Sequence, residues 1–409
     1  MPSVRPPLKR VLSLTQLTFY GVGTILGAGI YVLVGGVAGE AGVWAPVSFL
    51  IAAVLAAMTG LSFAELSSRF PFSAGEAVYV DRAFGRAWFS RLTGLLVVLT
   101  GVVSCATLVN GFAGYLAQFV TVPDAVVIPV ICIVLGFTAA WGITQSVMLA
   151  TVLTLIEVGG LLLVVALALP DAVAGTGLSG AESGTPDVPF SAFGVLAGAG
   201  LAFYAFIGFE DMVNVAEEVK GVRRTMPRAI VLALVITTVL YVTVAVVAVR
   251  SMPVEILASS QAPLAEIAGH QMEAAGRVIG VIALFAVLNG ALIQIVMAAR
   301  VLYGAASAGW LPAVLGRVSR RTQTPLFATW LSVLAVIAFA LWLPLVELAR
   351  LTSIVILIIF TFVNIALVRV KRHLADPVEE VFEIPVWVPV AGAISSAAFA
   401  AVNLVAFVG

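Results

Sequence analysis

Charge is scarce in this chain. Of its 409 residues only 10% are Asp, Glu, Lys or Arg, against about 25% in a soluble globular protein. So little charge cannot coat a water-facing surface, which excludes an ordinary soluble enzyme. The 21 basic residues are matched by 21 acidic ones, so there is no basic excess to attract nucleic acid. Cysteine is nearly absent. Cys105 and Cys132 both lie in apolar runs, where they read as small core residues, and a secreted disulfide scaffold is excluded. The two histidines, His270 and His373, are far apart, no Cys/His cluster has metal-ligand spacing, and there is no Walker-type phosphate loop. No metal and no cofactor are expected. What the chain has in quantity is apolar sequence: 62% hydrophobic residues and a mean hydropathy of +1.15. It reads as an all-α integral membrane protein.

A helix needs about 20 apolar residues to cross the hydrocarbon core. Runs free of charge, or nearly so, give eleven candidates: 14–38, 43–64, 92–120, 125–140, 146–169, 190–215, 229–248, 278–302, 326–343, 348–368 and 385–408. A tight turn at 141–145 separates the fourth from the fifth. With the N-terminus in the cytoplasm, all of the 21 basic residues except Arg250, Arg277 and Arg350 fall on the inner side, as the positive-inside rule asks. The first run is too long for a cleavable signal, and the C-terminus is expected outside. Residues 170–190 read as an outer loop, 252–277 as a short amphipathic helix on the outer face, and 70–91 as a structured inner loop.

Two runs break the pattern of plain apolar helices. The first contains Gly21-Val22-Gly23-Thr24-Ile25-Leu26-Gly27-Ala28-Gly29, four glycines in nine residues, each costing a helix about 1 kcal/mol relative to Ala. Taken alone, these glycines favour close helix packing, with Gly23 and Gly27 as a GxxxG pair. They also suit an unwound stretch whose amides meet a carboxylate. The sixth run, Phe203-Tyr204-Ala205-Phe206-Ile207-Gly208-Phe209, meets Glu210 and Asp211 at once. Either the span ends there, or the helix is broken and its freed carbonyls face a cavity that accepts an ammonium group. The two irregular runs are five spans apart and so oppositely oriented, as an inverted repeat of five spans plus five requires. Together they raise the ligand reading above the packing one.

Glu157 is the third oddity, in mid-span. An ionised acid at the bilayer centre costs about 2.5–3.5 kcal/mol on insertion scales, so it should face the protein interior, either bonding two helices together or carrying a proton.

These stretches resemble the amino acid–polyamine–organocation superfamily, and most of all its bacterial branch similar to cationic amino acid transporters. The likeness rests on Gly23 to Tyr31 in the first span and on Glu65-Leu66 with Phe70-Pro71, Ala74-Gly75, Tyr79 and Ala83-Phe84-Gly85 after the second. It continues through Phe203 to Phe209 with Glu217-Glu218 and Pro227 to Ile230, then Arg300 to Tyr303, Gly309 to Pro312 and Thr324-Pro325. The resemblance implies a five-plus-five, leucine-transporter-type fold with helices 1 and 6 broken, and amino acid transport by alternating access rather than enzymatic chemistry. It divides the chain into a cytoplasmic segment (1–13), a first repeat (14–169), an extracellular loop (170–189), a second repeat (190–369), and an inner loop with an eleventh helix (370–409). It places the substrate carboxylate near Ile25, Gly27, Ala28 and Gly29, the ammonium near Tyr204, Ala205 and Ile207, and Phe206 and Phe209 as walls or gates.

Two points depart from that pattern. The family usually has twelve or more spans where eleven are counted here. Some members carry a lysine or arginine where this chain has Glu157. The eighth run, 278–300, has no Ser or Thr to ligate sodium, which favours proton coupling or exchange. The implied partners are an amino acid, protons and the lipid bilayer of the plasma membrane. The alternatives are a polyamine- or ethanolamine-type carrier of the same fold, and, more distantly, a channel or a sensor.

Overall fold

Inside hydrocarbon every backbone N–H and C=O must be satisfied by the chain itself, and helices do so with local bonds. A computed structural model describes residues 12–27, 29–71, 75–140, 147–178, 190–307, 311–319, 324–373 and 381–408. Among these the structure is helical, with no sheet and one isolated parallel bridge between Leu12 and Val219. The α-helices run in the order α1 (Leu14–Leu26), α2 (Gly29–Ala41), α3 (Ala45–Arg69), α4 (Gly75–Phe84), α5 (Ala87–Leu116), α6 (Asp124–Ala140) and α7 (Val147–Ala174). They continue with α8 (Ala192–Tyr204), α9 (Val222–Ser251), α10 (Val254–Ser259), α11 (Pro263–Gln271), α12 (Glu273–Ser307), α13 (Leu326–Trp342), α14 (Leu345–His373) and α15 (Trp387–Val408). A 3₁₀ stretch, Glu210–Glu218, follows α8.

Among the described residues, seven stretches are long and apolar enough to cross a membrane: the run Gly29–Arg69 and the bulk of α5, α7, α9, α12, α14 and α15. The helices α6, α8 and α13 are apolar but shorter. Each of the eleven runs expected from sequence coincides with one helix or with an interrupted one. The turn expected at 141–145 lies outside the described residues, as does most of the outer loop expected at 170–190.

The amphipathic segment 252–277 is two helices rather than one. Pro263 starts the second, where its missing N–H costs nothing. Leu257 of the first and Leu264 and Ile267 of the second are buried against the protein, while Ile256 is exposed. A Cβ on Gly35 of α2 would collide with the Leu257 carbonyl, so α10 rests on α2.

Helices α1, α7 and α9 pack on one another, with α3 against α8 and α9. Small residues permit the approach. Gly21 faces Met212 and Ala233, and Gly23 faces Thr154 of α7, so packing accounts for the first two glycines of the run. The remaining two act differently.

Candidate functional site

Helix α1 begins with a capping box in which Ser13 and Gln16 satisfy each other's backbone amides. It ends at Leu26 because Gly27 takes φ 26° and ψ −114°, a backbone that a residue with a Cβ rarely adopts. The Gly27 N–H still donates to the Gly23 carbonyl at 3.1 Å, so that amide is committed inside α1. Ala28 lies outside the described residues. Gly29 opens α2, whose first amides have no acceptor within their own helix.

Helix α8 ends at Tyr204, and the chain tightens. The amides of Ala205, Phe206 and Ile207 bond back three residues, to Ala202, Phe203 and Tyr204, at 3.0, 3.0 and 3.1 Å. Gly208 then takes φ 126°, and the 3₁₀ stretch follows. The Gly208 N–H donates to Glu210 Oε2 at 2.8 Å, so Glu210 closes the turn rather than extending into solvent.

The two interruptions face each other. The Thr24 hydroxyl donates to the Gly208 carbonyl at 3.1 Å, besides its local bond to Gly21. A Cβ on Gly29 would stand 2.5 Å from the Ala205 Cα, so only glycine lets these backbones touch. The Tyr241 hydroxyl of α9 lies 2.9 Å from the Ile25 carbonyl and 2.8 Å from the Ala205 carbonyl, one proton shared between the two breaks. Phe206 packs edge-on to the Tyr241 ring at 5.1 Å. Phe209 points elsewhere, into a cluster with Phe63 and Phe360 at 5.7 and 5.2 Å. Tyr204 exchanges hydrogen bonds with Ser104 of α5. The structure therefore joins Ile25, Gly29, Ala205 and Phe206 at the Tyr241 hydroxyl, with Gly27 and Ile207 close by in the chain, whereas the Tyr204 hydroxyl turns to α5 and Phe209 to the Phe63–Phe360 cluster. All of these residues are buried, so this conformation is closed around the breaks.

Glu157 stands beside them. One turn before it on α7, Thr154 packs on Gly23 and donates to the Phe19 carbonyl of α1. The Glu157 carbonyl itself accepts from the Tyr31 hydroxyl of α2 at 2.7 Å. Helix α7 thus spans the gap between α1 and α2. The Glu157 side chain is buried, and its Oε2 meets no partner among the described residues.

Two ion-pair groups bracket the breaks, and sequence reading missed both. At one end, fully buried Glu65 of α3 accepts from Arg69 at 2.8–2.9 Å, from Lys371 of α14 at 2.6 Å and from the Ile384 amide at 2.9 Å. Arg69 also reaches Glu383 at 3.2 Å. At the other end, buried Arg350 of α14 pairs with Glu40 of α2 at 2.5 Å and bonds the Ala406 carbonyl of α15. Between the second and third spans, α4 carries a buried acid, Glu76. Burial, with a smaller contribution from the Asp211 charge, raises its carboxyl from 4.5 to about 7. The folded chain therefore holds a proton there that the unfolded chain has released. Stability conferred by the neutral acid is present at low pH and is lost as pH rises from about 4.5 to about 7, by on the order of 3 kcal/mol. Glu76→Gln should raise the melting temperature at pH 8 and leave it unchanged at pH 4.5. A pH-independent effect on the thermal melt would contradict this.

The sequence profile of the amino acid permease family matches residues 12–408, nearly the whole chain. The chain belongs to the amino acid permease family. It is 31% identical over 400 residues to "Cationic amino acid transporter 3, mitochondrial" of Arabidopsis thaliana, covering 91% of this chain and 64% of that one. It is 28% identical to the branched-chain amino acid permease BcaP of Bacillus subtilis, over 90% of this chain and 82% of that one. It is equally similar, at 28%, to the methylthioribose transporter of the same bacterium, over 95% and 87%. The chain spans about 64% of the length of the plant relative. These relatives are named as transporters and permeases, and the chain is a multi-pass membrane protein.

Proposed function

We propose that this permease is a secondary active transporter that carries amino acids across the plasma membrane by alternating access, with the N-terminus in the cytoplasm and the C-terminus outside. Its core is read as two inverted repeats, residues 14–169 and 190–369, joined by the outer loop 170–189. The N-terminal 1–13 lies inside, and residues 370–409 add an inner loop and the eleventh span. The observation that carries this reading is the meeting of two interrupted helices with the Tyr241 hydroxyl between their carbonyls. The start of α2 offers unpaired amides and a positive dipole end, which suit a carboxylate. The substrate anion is assigned to Ile25, Gly27, Ala28 and Gly29. Because the Gly27 N–H is committed to Gly23, the amides from Ala28 onward carry most of that contact. The ammonium is assigned to the carbonyls of Tyr204, Ala205 and Ile207, with Phe206 and Phe209 as walls or gates. A zwitterion needs opposite partial charges at opposite ends and no charged side chain, and the apolar surroundings (Ile25, Phe206) favour a neutral amino acid.

Glu157 is the coupling group in this reading. Its oxygen without a partner, at the level of the break, can take up and give up a proton as α1 and α2 move. Nothing on the span-eight stretch 278–300 offers the hydroxyls of a sodium site. Uptake of labelled amino acids into proteoliposomes tests both claims. Uptake should follow an inward proton gradient, or counterflow, and be indifferent to a sodium gradient at fixed pH. Glu157→Gln should abolish the pH dependence of uptake while substrate still raises the melting temperature by mass action. Unchanged pH dependence in Glu157→Gln would make the residue structural, and the absence of uptake for every amino acid would refute the transport reading.

A further inference from the structure

Helices α14 and α15 run antiparallel. The start of α14, at Arg350, meets the end of α15, at Ala406, and midway Gly392 lets α15 come against Asn364, whose Oδ1 a Cβ there would meet at 2.6 Å. On the outer side of this contact the two helices leave a groove of about 380 Å³, lined by Thr361, Ile365 and Val368 of α14 and Val390, Ile394 and Ala397 of α15. Thr361 bonds its hydroxyl to the Leu357 carbonyl at 2.8 Å, so it gives the groove only its methyl. Ile394 is 66% exposed and Ile365 41%, so the groove opens away from the protein, towards the bilayer.

One end of the groove is marked. Positions 361, 365, 368 and 372 share a face of α14, and 387, 390, 394 and 397 share a face of α15, at helical spacing. The face of α14 therefore continues to exposed Arg372, and that of α15 begins at exposed Trp387. The neighbouring cations are engaged elsewhere. Arg369 donates to the Ala83 carbonyl at 2.7 Å and lies over the Phe84 ring, and Lys371 holds Glu65. Arg372 has no acid partner among the described residues.

We propose that this groove is a binding site for an anionic phospholipid. One acyl chain lies along α14 and α15 and the headgroup phosphate meets Arg372, with Trp387 at the level of the glycerol backbone, where indole rings settle in bilayers. Hydrocarbon alone gives no preference here, because every lipid in the bilayer offers the same chains. Selectivity comes from the charge at the mouth. A basic residue near anionic headgroups contributes about 1 kcal/mol, which is roughly fivefold. This site is independent of the transport reading and of which way the chain is oriented.

Native mass spectrometry of the full chain, with dioleoyl phosphatidylglycerol and dioleoyl phosphatidylcholine as probes, tests the proposal. The wild type should retain the anionic lipid about fivefold over the zwitterionic one. Arg372→Lys should keep that ratio, and Arg372→Gln should bring it to about one. Ile394→Trp, which fills the groove, should lower retention of both lipids. Arg372 is exposed, so its variants report even if Ile394→Trp does not fold. A ratio that survives Arg372→Gln overturns the site. So does a wild-type dimer that Ile394→Trp converts to monomer, since the groove would then be covered by a second copy of the chain.

Discussion

Gly208→Ala should reduce substrate uptake in proteoliposomes by about a hundredfold or more. Three effects add at this position. Its φ of 126° lies in a region that residues with a Cβ enter only at a cost of about 1–3 kcal/mol. The new methyl would overlap the Thr24 carbonyl, a backbone atom of α1 that cannot rotate away as a side chain can. Any shift that relieves the overlap breaks the Thr24–Gly208 hydrogen bond and pulls the two interruptions apart. Sites that depend on aligned groups lose about a hundredfold for displacements near 1 Å. Gly175→Ala is the matching control. It too has positive φ, 72°, but sits beyond the end of α7, away from the breaks. It should lower the melting temperature while leaving uptake close to that of the wild type. Normal uptake by Gly208→Ala would show that the two breaks need not touch.

The second large effect belongs to Glu65. This carboxylate has no solvent exposure and holds two cations and a backbone amide, tying α3 to α14 and to the segment before α15. Glu65→Gln keeps the shape but leaves Arg69 and Lys371 facing a neutral amide. Removing one partner of a buried pair costs about 3–5 kcal/mol, because the remaining charge stays desolvated. The melting temperature in detergent should fall accordingly. Glu65→Gln combined with Lys371→Met should recover part of the loss, since one stranded cation goes with its partner. If the double variant melts below the single one, the cluster is held by packing and not by charge.

Much of the fold could be read from hydropathy, because membrane helices must be apolar for a span's length and every run found that way coincides with a helix or an interrupted one. The glycine run was legible too, though it combined two uses that sequence reading set against each other. Gly21 and Gly23 serve packing, whereas Gly27 and Gly29 serve the break. What could not be read was pairing across the chain. Tyr241 sits in an ordinary apolar span, and nothing local distinguishes it from a core tyrosine. It matters because residues 25 and 205 bring their carbonyls to it. Glu65 has one cation close in sequence, Arg69, but the pairings that tie distant helices are invisible locally: Lys371 is 306 positions from Glu65, and Glu40 is 310 from Arg350. The segment 252–277 shows an amphipathic pattern that is the same whether the partner is lipid or protein, so its burial against the protein could not be told from sequence.

Tyr241 has a mechanical corollary. A phenol owns a single proton, so at any instant only one of the two carbonyls is truly bonded and the other waits its turn. Whichever half-helix moves first gives up that shared bond and the Thr24–Gly208 bond, each worth about 0.5–1.5 kcal/mol. The pin behaves as a fuse. It is stiff enough to register the discontinuities against each other at rest, and weak enough that thermal motion clears it many times during a millisecond-scale rearrangement.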